Sequence, residues 1–288
     1  MFSSFSRSWE LVKASWTVLR SDKELIVYPI VSFVGSIIVM ITFAIPTIAA
    51  GIFDSISRDG AEGIGVLGLI VGFLFYLVMY TVVIFSNTAL VGAAMIRLEG
   101  GNPTLNDGFR IASQRLPKIL GYAAISATVG MVLRAISERS GLIGQIVTSI
   151  IGFVWGVATF LVVPVLVMED IGPWEAVKRS AGLLKKTWGE QLAANFSMGL
   201  IFGLLSVAIV IIGMVLTAVL ANVSGALAVA AVVAMILTLI GISLVASALG
   251  GIYQAVLYRY AAEGKNSDYF SAELIQGAFK EKPKRGLI

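Results

Sequence analysis

The sequence predicts an all-α, polytopic transmembrane helical bundle of about six spans, with amphipathic helices lying on its cytoplasmic side. Three observations carry that prediction. Only 13% of the 288 residues are charged and 58% are hydrophobic, whereas an average soluble chain is about 25% charged; the mean hydropathy is +0.92. The apolar residues gather in six stretches, each long enough to cross a bilayer, because a helix rises about 1.5 Å per residue and about 20 residues span the hydrocarbon. Finally, the phrase WELVKAS (Trp9–Ser15) returns as WEAVKRS (Trp174–Ser180) with five of seven positions identical, the mark of an internal repeat.

Taken in order, residues 1–24 are expected to form an interfacial helix, 25–262 the six-span bundle and 263–288 a cytoplasmic tail, all within a single integral membrane domain. The N-terminal stretch mixes charged and apolar residues and reads as no signal peptide. The spans run about Leu25–Phe53, Ile64–Ile96, Leu116–Ile136, Leu142–Met168, Leu192–Leu220 and Ala226–Tyr260. Pro29 and Pro46 in the first and Pro164 in the fourth are expected to kink their helices, since proline lacks a backbone donor and clashes one turn back. Gly68/Gly72, Gly152/Gly156 and Gly199/Gly203 are candidates for close helix approach. The tail suggests a short helix around SAELIQGAFK and then a disordered KPKRG end.

The distribution of positive charge orients the bundle. Of the 21 lysines and arginines, 18 lie at the N-terminus, in the second and fourth loops, or from Arg259 onward. Only Arg58, Arg134 and Arg139 lie in the alternate loops, and the fifth loop has none. The positive-inside rule therefore predicts both termini in the cytoplasm of a multi-pass protein of the cell membrane. The net charge of +4 and pI near 9.3 follow from this asymmetry, so no nucleic-acid partner is expected.

The repeated phrase has helical periodicity. With Trp9 at 0° and about 100° per residue, Phe2, Phe5, Trp9, Val12, Trp16 and Leu19 share an apolar stripe. Lys13 and Arg20 sit at its edge, where their stems lie on lipid and their heads reach phosphate. In the second copy Trp174, Val177, Ala181, Leu184 and Trp188 form the stripe, with Lys178 and Lys185 at its edge. Pro173 fits the first helical position, with Gly172 or Asp170 as cap. A weaker third copy, LNDGFRIASQRL, begins with a Thr104/Asp107 capping box and lines up Leu105, Phe109, Ala112 and Leu116. The unit is thus an amphipathic helix followed by a transmembrane hairpin, suggesting a threefold repeat. The span ends echo each other as well: ALVGAAMIRLEGGN (Ala89–Asn102) and GGIYQAVLYRYAAEGKN (Gly250–Asn266) each carry an arginine, an acid, a glycine and an asparagine. The lipid-interface candidates are Trp9, Lys13, Trp16, Arg20, Trp174, Lys178, Lys185 and Trp188.

Chemistry is sparse. With no histidine and no cysteine, the commonest proton carrier, metal ligand and thiol nucleophile are all missing. No catalytic motif is present, so no enzyme activity, metal or cofactor is expected. Polar groups within spans are the remaining candidates, because each is costly in hydrocarbon. They are Asn87, Asn195 and Gln254, with Gln145 and Arg134 nearer the span ends. Arg134 is expected to pair with Glu138 one turn on, and Glu169 to cap the following helix or bind a lipid amine.

The phrases SRSWELVKASWTVLRSDKELIVYP (Ser6–Pro29), ATVGMVLRAISERSG (Ala127–Gly141) and VVPVLVMEDIGPWEAVKRSAGLLKKTWGE (Val162–Glu190) resemble a family of uncharacterised prokaryotic polytopic membrane proteins. The Pro164–Ser180 phrase is also distantly similar to the membrane domain of glycerophosphodiester phosphodiesterases, which implies a shared membrane scaffold. Three classes of function are compatible with these readings: a non-enzymatic, membrane-organising or accessory protein whose partners are lipids and other membrane proteins; a transporter or channel for a small solute or lipid; and, disfavoured by the missing residue types, an intramembrane enzyme.

Overall fold

The computed structural model describes residues 2–49, 65–188, 197–265, 269–270 and 275. They form an all-α polytopic bundle: α1 (Phe2–Ser21), a 3-10 turn (Lys23–Ile26), α2 (Val27–Ala49), α3 (Val66–Leu98), α4 (Leu105–Gln114), α5 (Leu116–Arg139), α6 (Gly141–Ala158), α7 (Val162–Met168), α8 (Pro173–Trp188), α9 (Ser197–Ala221), α10 (Gly225–Tyr258) and a π turn (Arg259–Glu263). Six segments are long and apolar enough to cross a membrane: Lys23–Ile48, Val66–Leu98, Leu116–Glu138, Gly144–Met168, Ile201–Ala221 and Gly225–Glu263. Each overlaps one of the expected spans. The loop between the first two spans, the start of the fifth span with Asn195, and most of the tail, including KPKRG, lie outside the described residues.

The chain divides into two compact units. The first comprises Met1–Pro29, Ala94–Asn102 and Leu184–Ile288. Within it α9 and α10 pair as a hairpin, and α1 packs on both, with the 3-10 turn against α1 and α10. Ser224 starts α10 by accepting the Ala226 N–H at 3.3 Å, the usual role of an N-cap hydroxyl. At Gly213 a Cβ would strike the Met235 side chain, so α9 and α10 meet where the glycine leaves room.

The second unit comprises Ile30–Ala93 and Pro103–Leu183. Gly35 of α2 faces Val82 of α3, and Phe43 meets Phe75 edge-on at 5.6 Å. Helices α5 and α6 form the second hairpin. Of the glycine pairs singled out in the sequence, Gly72, Gly156, Gly199 and Gly203 have no neighbour at the Cβ position, and Gly152 has only ordinary contact with Leu133. The close approaches fall instead at single glycines facing bulky partners. A four-residue spacing places two glycines on one face, but lipid satisfies that face as well as a helix does.

The prolines act differently from one another. Pro29 lies in the first turn of α2, where no backbone donor is required. Pro46 is accommodated within α2. Pro164 coincides with a break: the fourth span stops at Ala158 and resumes at Val162. Continued helix would drive the Pro164 ring into the Phe160 carbonyl. Within the break the Leu161 N–H donates to the Ser180 hydroxyl, 3.0 Å away and buried.

Helices α3 and α10 have 33 and 34 residues, about 50 Å each and longer than the hydrocarbon is thick. Both change character along their length. Val66, Leu67, Leu69 and Ile70 are exposed at the start of α3, whereas every residue from Ala89 to Met95 is buried. In α10, Leu227, Val229, Val233 and Leu237 are exposed, whereas Leu249, Ile252 and Val256 are buried. Helices buried on all sides belong to protein rather than lipid, so the last turns of both are packed protein.

Candidate functional site: paired tryptophan and lysine side chains

The repeated phrase folds the same way twice. In α1 the buried side chains are Leu11, Val12, Ser15, Val18 and Leu19. In α8 they are Ala176, Val177, Ser180, Leu183 and Leu184, the same positions 165 residues later. On the wheel of about 100° per residue they occupy an arc from about 180° to 300°, while Trp9, Lys13, Trp16 and Arg20 lie between about −20° and 40°. The apolar stripe expected from sequence therefore divides. Val12 and Leu19 face protein, whereas Trp9 and Trp16 are 46% and 42% exposed. In α8, Val177 and Leu184 are buried and Trp174 is 52% exposed. The side chains of Phe2, Phe5 and Trp188 lie outside the described ones.

On the outward arc a lysine covers each leading tryptophan. Lys13 Nζ stands 5.9 Å from the Trp9 ring centroid and Lys178 Nζ 5.9 Å from that of Trp174, both one turn on, within cation–π range. Arg20 and Lys185 are exposed on the same arcs. The start of α4 is fixed by a reciprocal cap and that of α8 by a single side-chain acceptor. Glu175 accepts the Gly172 N–H at 2.9 Å, with Pro173 as the first helical residue. Thr104 Oγ1 accepts the Asp107 N–H at 3.3 Å while the Thr104 N–H donates to Asp107 Oδ2 at 3.0 Å. The Thr104 hydrogen bonds hold the Asp107 carboxyl below its ordinary range. On α4, Ala112 is buried, Leu105 and Phe109 are half-buried and Leu116 is exposed; Phe109 stacks on Phe85 at 6.3 Å.

Ion pairs tie the α7–α8 connection down. Glu169 is bound by Arg179 Nε at 2.9 and 3.1 Å, and the cap role falls to Gly172 and Glu175. Asp170 accepts from Arg115 Nη1 at 2.9 Å and from the Lys118 ammonium. The Lys118 hydrogen bond and charge, then those of Arg115, hold its carboxyl below the usual range. No local pattern announces this trio, because Asp170 lies 55 residues from Arg115 and 52 from Lys118. Arg134 pairs with Glu138 at 2.7 Å, as the spacing predicts, and also donates to the Tyr76 hydroxyl at 3.0 Å.

The polar residues of the spans are divided between the two units. Asn87 is half-buried in the second unit between buried Ser86 and Thr88, and the Thr88 hydroxyl donates to the Ile84 carbonyl at 2.7 Å. Gln254 is half-buried in the first unit. Gln145 is exposed. Among the described residues, no group of three or more acids is placed to hold a metal ion.

These features define a multi-pass helical membrane protein whose repeats each begin with a short helix. The profile of DUF6159, a family of unknown function, matches residues 66–268, and the chain belongs to that family. No curated protein matches the chain.

Proposed function

We propose that this is a non-enzymatic protein of the cell membrane that organises anionic lipid at the cytoplasmic surface, its termini both in the cytoplasm. The observation that carries the reading is the duplicated tryptophan–lysine pair. In both copies one face of the helix is anchored in protein, while an indole and an ammonium stand together on the exposed arc. Indole rests at headgroup depth, and a lysine near an anionic surface contributes about 1 kcal/mol. The amphipathic helices α1 and α8 thus serve as a collar, held by the bundle and read by lipid. The positive-inside asymmetry puts that collar on the leaflet rich in anionic headgroups. Other membrane proteins are partners of the same surface. The resemblance of the Pro164–Ser180 phrase to the membrane domain of glycerophosphodiester phosphodiesterases is read as a common scaffold, and the family as a prokaryotic one.

Depth-dependent quenching tests this. Single-tryptophan variants retaining only Trp9 or only Trp174 are reconstituted in vesicles doped with lipids brominated at graded depths. Quenching should peak near the headgroups for both. Quenching at mid-chain depth, or none for either residue, removes the collar.

A further inference from the structure

We propose that the end of α10 is a receptor for a phosphate group, held by Arg259. This residue is 8% exposed, and its Nε and Nη1 are both buried without a hydrogen-bond partner. A guanidinium does not escape burial by losing its proton, and a buried charge without a counter-charge is strongly unfavourable. The helix C-terminus offers only a partial negative charge. Among the described residues no acid forms an ion pair with Arg259, and Glu263, four residues on, binds Lys265 at 3.1 Å instead.

The repeat shows what has changed. Arg97 occupies the equivalent place at the end of α3, and its guanidinium is satisfied locally. It donates to Gly101 O at 3.3 Å, Asn102 Oδ1 at 3.4 Å, and the Ser21 carbonyl and hydroxyl at 3.3 and 3.4 Å. Both helices terminate in a Glu–Gly pair whose glycine takes a left-handed conformation, Gly100 at φ 86° and Gly264 at φ 67°. Arg97 stands three residues before its glycine and Arg259 five before. The π turn Arg259–Glu263 absorbs the two additional residues. It displaces Arg259 from the loop acceptors that its counterpart uses and leaves the guanidinium turned into protein. π turns inside helices gather at functional sites for this reason: they re-aim one side chain. Guanidinium geometry matches the oxygens of a phosphate, and the end of a membrane-crossing helix brings Arg259 toward headgroups. The phosphate comes from a phospholipid headgroup or from a soluble phosphate.

The test uses the full chain in nanodiscs of three kinds: phosphatidylglycerol, a neutral galactolipid without phosphate, and the galactolipid with inorganic phosphate added against matched chloride. At about a hundredfold excess over Kd, occupancy should raise the thermal midpoint by about 5 °C. A rise in phosphatidylglycerol alone assigns the headgroup, and a rise with added phosphate in galactolipid assigns a soluble ligand. Either rise should vanish in Arg259→Gln and persist in a Lys13→Gln/Lys178→Gln variant, which separates this site from the proposed collar. Equal rises in wild type and Arg259→Gln overturn the proposal. Should Arg259→Gln fail to fold, the wild type still decides, because one midpoint in all three conditions overturns it as well.

Discussion

Ser15 and Ser180 occupy the same place in the repeated phrase, and both are completely buried, yet removing their hydroxyls should have opposite effects. Ser180 Oγ accepts the Leu161 N–H at 3.0 Å, a donor at the helix break. Ser180→Ala leaves that amide buried and unpaired, at a cost of about 1–3 kcal/mol. For a chain of this size 1 kcal/mol moves the midpoint by about 2 °C, so a fall of about 2–6 °C is expected. Ser15 Oγ has no hydrogen-bond partner. Ser15→Ala removes a buried polar atom that gains nothing from the protein, and the midpoint should stay level or rise by about 1–2 °C. Scanning fluorimetry of the two variants and wild type in one detergent measures all three together. Equal falls for the two variants, or no fall for Ser180→Ala, would refute the assignment of Ser180 as the acceptor at the break.

Two further outcomes follow from charge. The Asp170 carboxyl is held below its ordinary value of 3.8 by Lys118 and Arg115, so its contribution is present above about pH 4 and lost as pH falls through its lowered value. Asp170→Asn should flatten the acid limb of the stability–pH profile below about pH 4; because the carboxylate is highly exposed, raising salt should flatten it too, and an unchanged profile in the variant would dismiss the trio. For topology, a reporter active only outside the cell should give signal when fused after Asp59 or Val223 and none after Asp107, Lys186 or Lys282; signal after Lys186 contradicts cytoplasmic termini.

What was legible in the sequence was whatever a single segment determines. A run such as Val66–Leu98 needs no partner to declare itself a span, and Thr104 with Asp107 declares its own cap. The direction in which α1 faces was not legible. Its apolar arc is about 180° wide, from Val18 round to Trp9, and lipid and protein are both apolar solvents for it. Hydrophobicity alone therefore does not say that Leu11 and Val18 meet protein while Trp9 and Trp16 stay exposed. The Ser180 contact depends on a break imposed sixteen residues earlier by Pro164. The Asp170 trio depends on the start of α5 lying beside the end of α7. The Arg97/Arg259 echo was visible, but its consequence was not, because a two-residue difference reads as a loop variation until the π turn places it inside the helix.

The packing also gives a reason for one short helix per hairpin. Apolar hairpins have little hydrophobic drive to associate in lipid, so repeats need contacts that lipid does not offer. The second short helix, α4, lies on α3 of the first repeat, with Ile111 against Gly92 and Phe109 on Phe85. The third, α8, lies on the second repeat, with Pro173 over Gly121, Ser180 at Leu161 and Arg179 on Glu169. The first, α1, lies on α9 and α10 of the third. Within the second unit α4 and α8 thus each lie on the repeat before them, and within the first unit α1 lies on the hairpin of the third repeat. Two of these contacts join neighbours in sequence and carry short closure distances; the docking of α1 joins residues about 200 apart and bears the largest loop-closure cost. The buried set Leu11, Val12, Val18 and Leu19 is bulkier than Ala176, Val177, Leu183 and Leu184, because Leu replaces Ala at the leading position and only Val18 against Leu183 gives back one carbon. The larger apolar contact therefore falls at the docking that has the most chain entropy to offset.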